Sequence, residues 1–174
     1  MSKYNYDTDD FENFPLARTA GEWNISSMVE DENGSIWASS TGGDIFLRSK
    51  TDNKFKQLNI DVRAYGVKHI SFINIWKKAV IVGTELGLFK VSANKTTLEH
   101  IELGLKRPEI NCAYVDKETL WIGTEGAGLI TLANVTGEIK NYRHTSGQNT
   151  LADNNIQKQQ LFKFIIIRYR NPLR

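Results

Sequence analysis

Three segments of the sequence are copies of one another, and their spacing constrains the fold more than any other feature. The copies occupy residues 36–45, 81–89 and 120–129. Trp37, Ile81 and Trp121 hold the same place in the three copies and are spaced by 44 and 40 residues. A period of about 40 to 45 residues, each unit a few short strands, is typical of a β-propeller blade. The sequence therefore predicts an all-β chain built from four-stranded antiparallel blades.

The third copy shows how one blade divides into strands. Alternating side chains predict a first strand at 110–115 and a second at 120–124. Turns rich in polar residues and glycine separate these from strands expected at 129–133 and 139–142. The same division places the blades at about residues 25–58, 67–101 and 110–142. In the second blade the first turn, expected at 74–78, contains no glycine.

The segments outside these blades extend the repeat only in part. Residues 4–14 resemble the end of a repeat and predict a partial blade, whereas residues 143–156 resemble a connector into another blade. Residues 1–156 are thus interpreted as a partial propeller, an open arc, because closure needs about four to eight blades. The expected partners are the remaining blades or another copy of the chain. Residues 157–174 contain no acidic residue and no glycine and are interpreted as an atypical basic and apolar tail.

Composition argues against several function classes. The 22 basic and 20 acidic residues are mixed along the chain, which gives no footprint for nucleic acid. Cys112 is the only cysteine, so neither a disulfide nor a cysteine metal site is expected within one chain. The apolar run at 162–167 is too short to span a membrane, and no membrane contact is expected. The first residues do not form a secretory signal, which predicts a cytoplasmic chain if it is expressed as written.

No arrangement of side chains typical of catalysis is found. The sequence contains no Ser-His-Asp, His-Glu-x-x-His or paired-carboxylate constellation, so no catalytic residue, metal or cofactor is expected.

Two runs and one connector resemble a known family. The runs are residues 30–37 (EDENGSIW) and 121–129 (WIGTEGAGL), and the connector combines residues 149–151 with 154–156. Together they resemble the two-component regulator propeller repeats, which build the periplasmic sensor region of hybrid histidine kinases common in gut Bacteroidetes. The resemblance covers roughly residues 4–156.

This resemblance implies a periplasmic propeller sensor that responds to glycan fragments and drives phosphorelay to transcription. A kinase core and a membrane helix, which such proteins carry, are not found in this sequence. His69, His100 and His144 lack the helical dimerisation motif of a phospho-accepting histidine. The chain is therefore interpreted as a non-catalytic fragment of a sensor, with a glycan or oligosaccharide as its expected ligand.

Ligand contacts are expected on one face of the propeller. The loops leading into each first strand open on the same face as the turns between second and third strands. Sugars are held by aromatic faces and by hydrogen bonds to Arg, Asp and Glu side chains. The candidates from the leading loops are Trp23, Arg63, Tyr65, Arg107, Glu109 and His144. The candidates from the turns are Asp44, Glu85 and Glu125.

The residues that recur between the copies are expected to have structural roles. Trp37 and Trp121 are predicted to pack between strands. The other recurring residues are predicted to form turns or close contacts, and they are Gly34, Gly83, Thr84, Gly87, Gly123, Thr124, Gly126 and Gly128.

Two alternative functions remain open from the sequence. Streptogramin lyases are also propellers with Asn/Asp-Gly-x-Ile-Trp runs, and they use a histidine with a metal-binding glutamate. His144 and Glu125 would take those roles in an enzyme. A general protein-interaction propeller is the other alternative, although the Gly-His and Trp-Asp signature of that class is missing.

Overall fold

The repeats fold into three antiparallel sheets of four strands each. The computed structural model describes residues 2–13, 24–116, 118–147 and 150–162. The first sheet contains β3 (Ile25–Glu30), β4 (Ile36–Ser40), β5 (Ile45–Arg48) and β6 (Lys56–Gln57). The second contains β7 (Ile70–Trp76), β8 (Ala79–Thr84), β9 (Gly87–Val91) and β10 (Leu98–Ile101). The third contains β11 (Ile110–Val115), β12 (Thr119–Thr124), β13 (Leu129–Ala133) and β14 (Ile139–Tyr142).

Each sheet is a meander in which sequential strands pair, as expected for a propeller blade. We call the sheets blades 1, 2 and 3. Innermost strands β3, β7 and β11 contact one another in sequence, so the blades stand side by side. Across the described residues the blades do not close into a ring. The prediction of an incomplete propeller is confirmed.

Apolar side chains between the blades form the core. Trp37 and Ile45 of blade 1 pack against Ile70, Val82 and further residues of blade 2. Blade 2 packs on blade 3 through a second cluster made of Phe72, Trp76, Ile81, Leu88, Leu103, Ile110, Leu120, Ile122 and Ile130. Burial of these faces is the main stabilising term, because a blade alone leaves its sides open to water.

The first strand of every blade carries the same irregularity. The pairing register shifts by one residue between Ile25 and Ser27, between Ile70 and Phe72, and between Ile110 and Cys112. A bulge of this kind increases the local twist and turns the strand end. Phe72 and Cys112 then lie opposite the recurring glycines of the second strand, Gly83 and Gly123.

The first turn of blade 2 is shorter than the sequence suggested. Residues 74–76 belong to β7, and only Lys77 and Lys78 connect it to β8. Both lysines have positive φ, 50° and 61°, as a two-residue type I′ turn requires. The turn was misplaced because lysine gives no sequence signal for this conformation.

Replacing this dipeptide with Asn-Gly is expected to stabilise the protein. Lys77→Asn with Lys78→Gly relieves left-handed strain and should raise the free energy of unfolding by about 1 kcal/mol. The ion pair of Lys78 with Glu32 is exposed, so its loss costs little. Urea denaturation measures the change. Lys54→Gly, in an exposed loop without positive φ, is the control and should not stabilise; equal effects of both changes would contradict the strain argument.

The N-terminal residues form a separate hairpin. Strands β1 (Ser2–Asn5) and β2 (Asp10–Asn13) pair antiparallel in a two-stranded sheet. Tyr6 and Phe11 are exposed. Assignment of this hairpin to the outer half of a blade stays a prediction.

Candidate functional site

The face predicted for ligand contacts carries a groove along blade 2. The groove has a volume of about 510 Å³ and is lined by Ala64, Tyr65, Leu86, Phe89, His100, Glu102, Leu105, Lys106 and Arg107. Phe89 and His100 lie on strands β9 and β10, and the other lining residues come from the loop before β7, the turn between β8 and β9, and the loop after β10. We call it the His100 groove. Its size suits a small ligand, and its apolar floor under a charged rim is typical of ligand sites.

His100 is fixed by three neighbours. Its ring meets Phe89 edge-on with centroids 5.2 Å apart, and its Nδ1 lies 2.9 Å from Oε1 of Glu102. Because a carboxylate only accepts, Nδ1 carries the proton. Gly87 allows the close approach, since a Cβ there would lie 2.9 Å from Nε2 of His100. The sequence did not mark His100 as a candidate because it lies on an outer strand and not in a loop.

Tyr65 forms one wall of the groove and is held from both ends. It closes a short 3-10 helix, Val62–Tyr65, whose N-cap Asp61 accepts from the backbone N–H of Arg63. The Tyr65 hydroxyl accepts from the backbone N–H of Leu98 at 3.1 Å, and its ring meets Phe89 at 6.1 Å. These contacts tie the loop before β7 to the outer strand of blade 2.

The opposite wall is the loop between β10 and β11. Leu103 is buried in the interface between blades 2 and 3 and anchors this loop. Arg107 is exposed and has φ 46°, a conformation uncommon for a residue other than glycine. Strained backbone of this kind concentrates at binding sites. Tyr65 and Arg107 are the two predicted contacts that the structure brings into one groove.

The other predicted contacts lie at separate points of the chain. Arg63 donates to the carbonyl of Gly42 at 3.4 Å, next to the turn that holds Asp44. The Asp44 carboxylate accepts from Gln57 Nε2 at 2.6 Å. Trp23 lies outside the described residues. The carbonyl of Glu109 accepts from the backbone N–H of Glu125.

Glu85 and Glu125 are both held by protein donors. Glu85 accepts from the backbone N–H of Lys68 and of His69, and one of its oxygens lies 3.6 Å from Nδ1 of His69. Glu125 accepts from Asn111 Nδ2 at 2.9 Å and from Gln157 Nε2 at 3.4 Å. Both side chains therefore link their turns to neighbouring segments of the chain by hydrogen bonds.

His144 is held within the connector. Its backbone N–H donates to Oδ1 of Asn154 at 2.7 Å, and its Nδ1 lies 2.6 Å from the carbonyl oxygen of Leu151. These partners differ from those of Glu125. Among the residues that the structure describes, no group of three or more His, Cys, Asp or Glu side chains is placed to hold a metal ion.

In blades 2 and 3 a recurring threonine holds the turn that follows the second strand. Thr84 Oγ1 donates to the carbonyl of Gly87 at 2.9 Å and accepts from the N–H of Leu86 at 3.1 Å. Thr124 repeats both bonds with the residues four and three positions later, at 2.6 and 3.1 Å. Gly87, Gly126 and Gly128 have positive φ in these turns, and Gly34 has positive φ in the first turn of blade 1.

The recurring tryptophans are bonded to an aspartate in the preceding turn. Trp37 Nε1 donates to Oδ2 of Asp31 at 2.9 Å, and Trp121 Nε1 donates to Oδ2 of Asp116 at 3.0 Å. The other oxygen of Asp31 accepts from the N–H of Asn33 and of Ser35. Sequence reasoning missed this pair, although an aspartate stands six or five residues before each tryptophan.

Opposing effects act on the pKa of Asp31. Partial burial raises the pKa, but the bonds from the Trp37 indole and from the backbone N–H groups of Ser35 and Asn33 outweigh it and hold the pKa below its ordinary value. The ionised carboxylate is therefore the form that the turn stabilises.

A second groove, of about 410 Å³, opens on the opposite face between blades 1 and 2. Its floor contains Trp37, Ile75, Val80 and Val91. The Lys95 ammonium lies 5.3 Å from the Trp37 ring centroid and covers that ring. We call it the Trp37 groove.

Comparisons with known proteins identify the fold. No protein-family model and no curated protein matches the chain. A protein described as the extracellular domain of a hybrid two-component system, BT4673 from B. thetaiotaomicron, is similar with a TM-score of 0.55 and 20% identity over 89% of this chain and 26% of its own. PorZ, a surface component of the type-IX secretion system of Porphyromonas gingivalis, is similar with a TM-score of 0.66 and 18% identity over 88% of this chain and 25% of its own.

A streptogramin B lyase is similar as well, with a TM-score of 0.64 and 18% identity over 85% of this chain and 48% of the lyase. The chain folds as β-propeller blades. It spans about a quarter of the BT4673 domain and about half of the lyase. Identities this low show that these proteins share a fold with the chain. They do not assign its function, which has to be argued from the candidate site. In the described part of the chain no helix is long and apolar enough to cross a membrane.

Proposed function

We propose that this chain is a non-catalytic ligand-binding part of a sensor propeller and that its ligand, a glycan-derived oligosaccharide, binds in the His100 groove. The observation that carries the proposal is the groove itself. It lies on the face expected for ligands and joins a tyrosine, a histidine, a carboxylate and an arginine around an apolar floor. The likeness to the BT4673 extracellular domain supports a sensor, and the family resemblance supports a periplasmic location and a link to phosphorelay.

The groove offers the two kinds of contact that sugars use. Ring faces and edges of Tyr65 and Phe89 suit the apolar faces of a sugar ring. Arg107, Lys106 and Glu102 at the rim suit hydroxyl or carboxylate groups through charge-assisted hydrogen bonds. Because His100 and Tyr65 are already fixed by Glu102 and Leu98, they lose little side-chain freedom on binding.

Calorimetric titration with a panel of neutral and uronic-acid oligosaccharides tests the proposal. One class should bind saturably to the full chain, and Arg107→Ala should weaken it about tenfold or more, the worth of one hydrogen bond to a charged group. Arg143→Ala is the matched control, since Arg143 lies on the same face, near Gly126, and outside the groove; it should leave affinity unchanged.

The two alternatives give different results in the same experiment. Binding of an extended peptide and of no oligosaccharide would favour an interaction propeller. Metal-dependent opening of a cyclic depsipeptide, lost in His144→Ala, would favour the lyase alternative.

A further inference from the structure

Residues 154–162 cross the outer side face of blade 3, and we call them the strap. The backbone N–H of Ile156 donates to the carbonyl of Thr124 at 2.8 Å, and that of Gly128 donates to the carbonyl of Asn154 at 2.8 Å. Residues 158–162 then form a short helix. The strap therefore bonds to blade 3 through residues 154–157, including the Gln157 side chain on Glu125, and its helix rests on the blade by packing.

The strap begins where a following blade would begin. Ile25, Ile70 and Ile110 open the first strands of the three blades at intervals of 45 and 40 residues, and Ile156 comes 46 residues later. Ile70 packs on the side of blade 1, and Ile110 on the side of blade 2. Ile156 packs in the same way on the side of blade 3. After Ile156, however, residues 158–162 form a helix and not a strand.

The strap buries the apolar side of blade 3. Ile156 and Leu161 are each 2% exposed and pack with Cys112 and Leu129. Cys112 Sγ lies 3.6 Å from the Ile156 carbonyl oxygen. The Phe162 ring meets that of Tyr114 edge-on at 6.0 Å. The polar side chains of residues 157–160 are exposed, so the helix is held by one face only.

We propose that the strap is a lid that opens as a unit, separately from the blades, and uncovers a surface on which a further propeller blade would pack. A helix of this length is unstable by itself and depends on its packing. The blade interfaces bury larger clusters than the strap does. We therefore expect the strap to open before the interfaces between the blades.

Cys112 reports opening of the strap directly. It is the only cysteine of the chain and lies under Ile156. Burial raises the pKa of its thiol to about 11, so the closed form does not supply the thiolate that reacts at neutral pH. The rate of maleimide labelling of the native full chain thus measures how often the strap is open.

Cys112 of the Leu161→Ala variant should be labelled about 30-fold faster than that of the wild type. This factor corresponds to the low end of the free-energy cost of truncating a buried leucine to alanine. Gln159→Ala, on the exposed side of the same helix, should label at the wild-type rate. Leu98→Ala, in the interface of blades 1 and 2, lowers global stability and leaves the strap intact, so it too should label slowly. Equal acceleration in Leu161→Ala and Leu98→Ala would show that labelling needs global unfolding and would overturn the proposal.

Discussion

Gly83→Ala is expected to lower the free energy of unfolding by about 3 kcal/mol, the upper range for overpacking a well-filled core. A Cβ at residue 83 would lie 2.1 Å from Cε1 of Phe72. Phe72 is buried between blades 2 and 3 and lacks space to retreat. The change therefore forces blade 2 away from blade 3, and urea denaturation measures the loss.

Two further variants separate this clash from a general effect of losing glycine. Gly147→Ala places a Cβ at an ordinary distance, 3.7 Å from Thr145 Oγ1, and should leave stability unchanged. In a Phe72→Ala background the ring is gone, so Gly83→Ala should cost little there. An equal cost in both backgrounds would contradict the assignment of the clash to Phe72.

Trp37→Ala is expected to lower the free energy of unfolding by about 3–5 kcal/mol, because it empties the interface of blades 1 and 2. Trp37→Phe keeps most of the packing and loses the bond to Asp31, so about 1 kcal/mol is expected. Denaturation of both variants gives the two contributions separately. Equal losses would show that the hydrogen bond, and not packing, dominates.

The bond to Asp31 also predicts a pH dependence. Since the pKa of Asp31 in the folded protein is lowered from its ordinary value, its stabilising contribution is present above that ordinary value and is lost as pH falls through the folded pKa. Asp31→Asn removes this titration. The stability difference between wild type and Asp31→Asn should therefore shrink in acid; a difference that stays constant would contradict the role of the charged carboxylate.

Much of the blade architecture is predictable from the sequence because its signals are local. The glycines at 126 and 128 mark a turn, and Asp31, Gly34 and Trp37 mark the first hairpin of blade 1. The turn at Lys77 and Lys78 was misplaced because its left-handed backbone is imposed by the pairing of β7 with β8 and not by residue type.

The candidate site was predictable only in part. The loop positions of Tyr65 and Arg107 predict them as candidates. That they line the same groove depends on how the loop before β7 folds onto blade 2. His100 and Phe89 lie on strands and carry no signal that separates a groove wall from a core residue. The strap was missed because residues 157–162 follow no repeat, and their place is set by the side face of blade 3.

Hydrogen exchange with and without a bound oligosaccharide tests the proposed function most directly, because it compares both faces of the full chain at once. Binding in the His100 groove should slow exchange in residues 62–66, 85–89 and 98–107. Residues 31–37 and 90–95, around the Trp37 groove, should exchange as before. Protection confined to the Trp37 groove, or no protection by any oligosaccharide of the panel, would contradict the account.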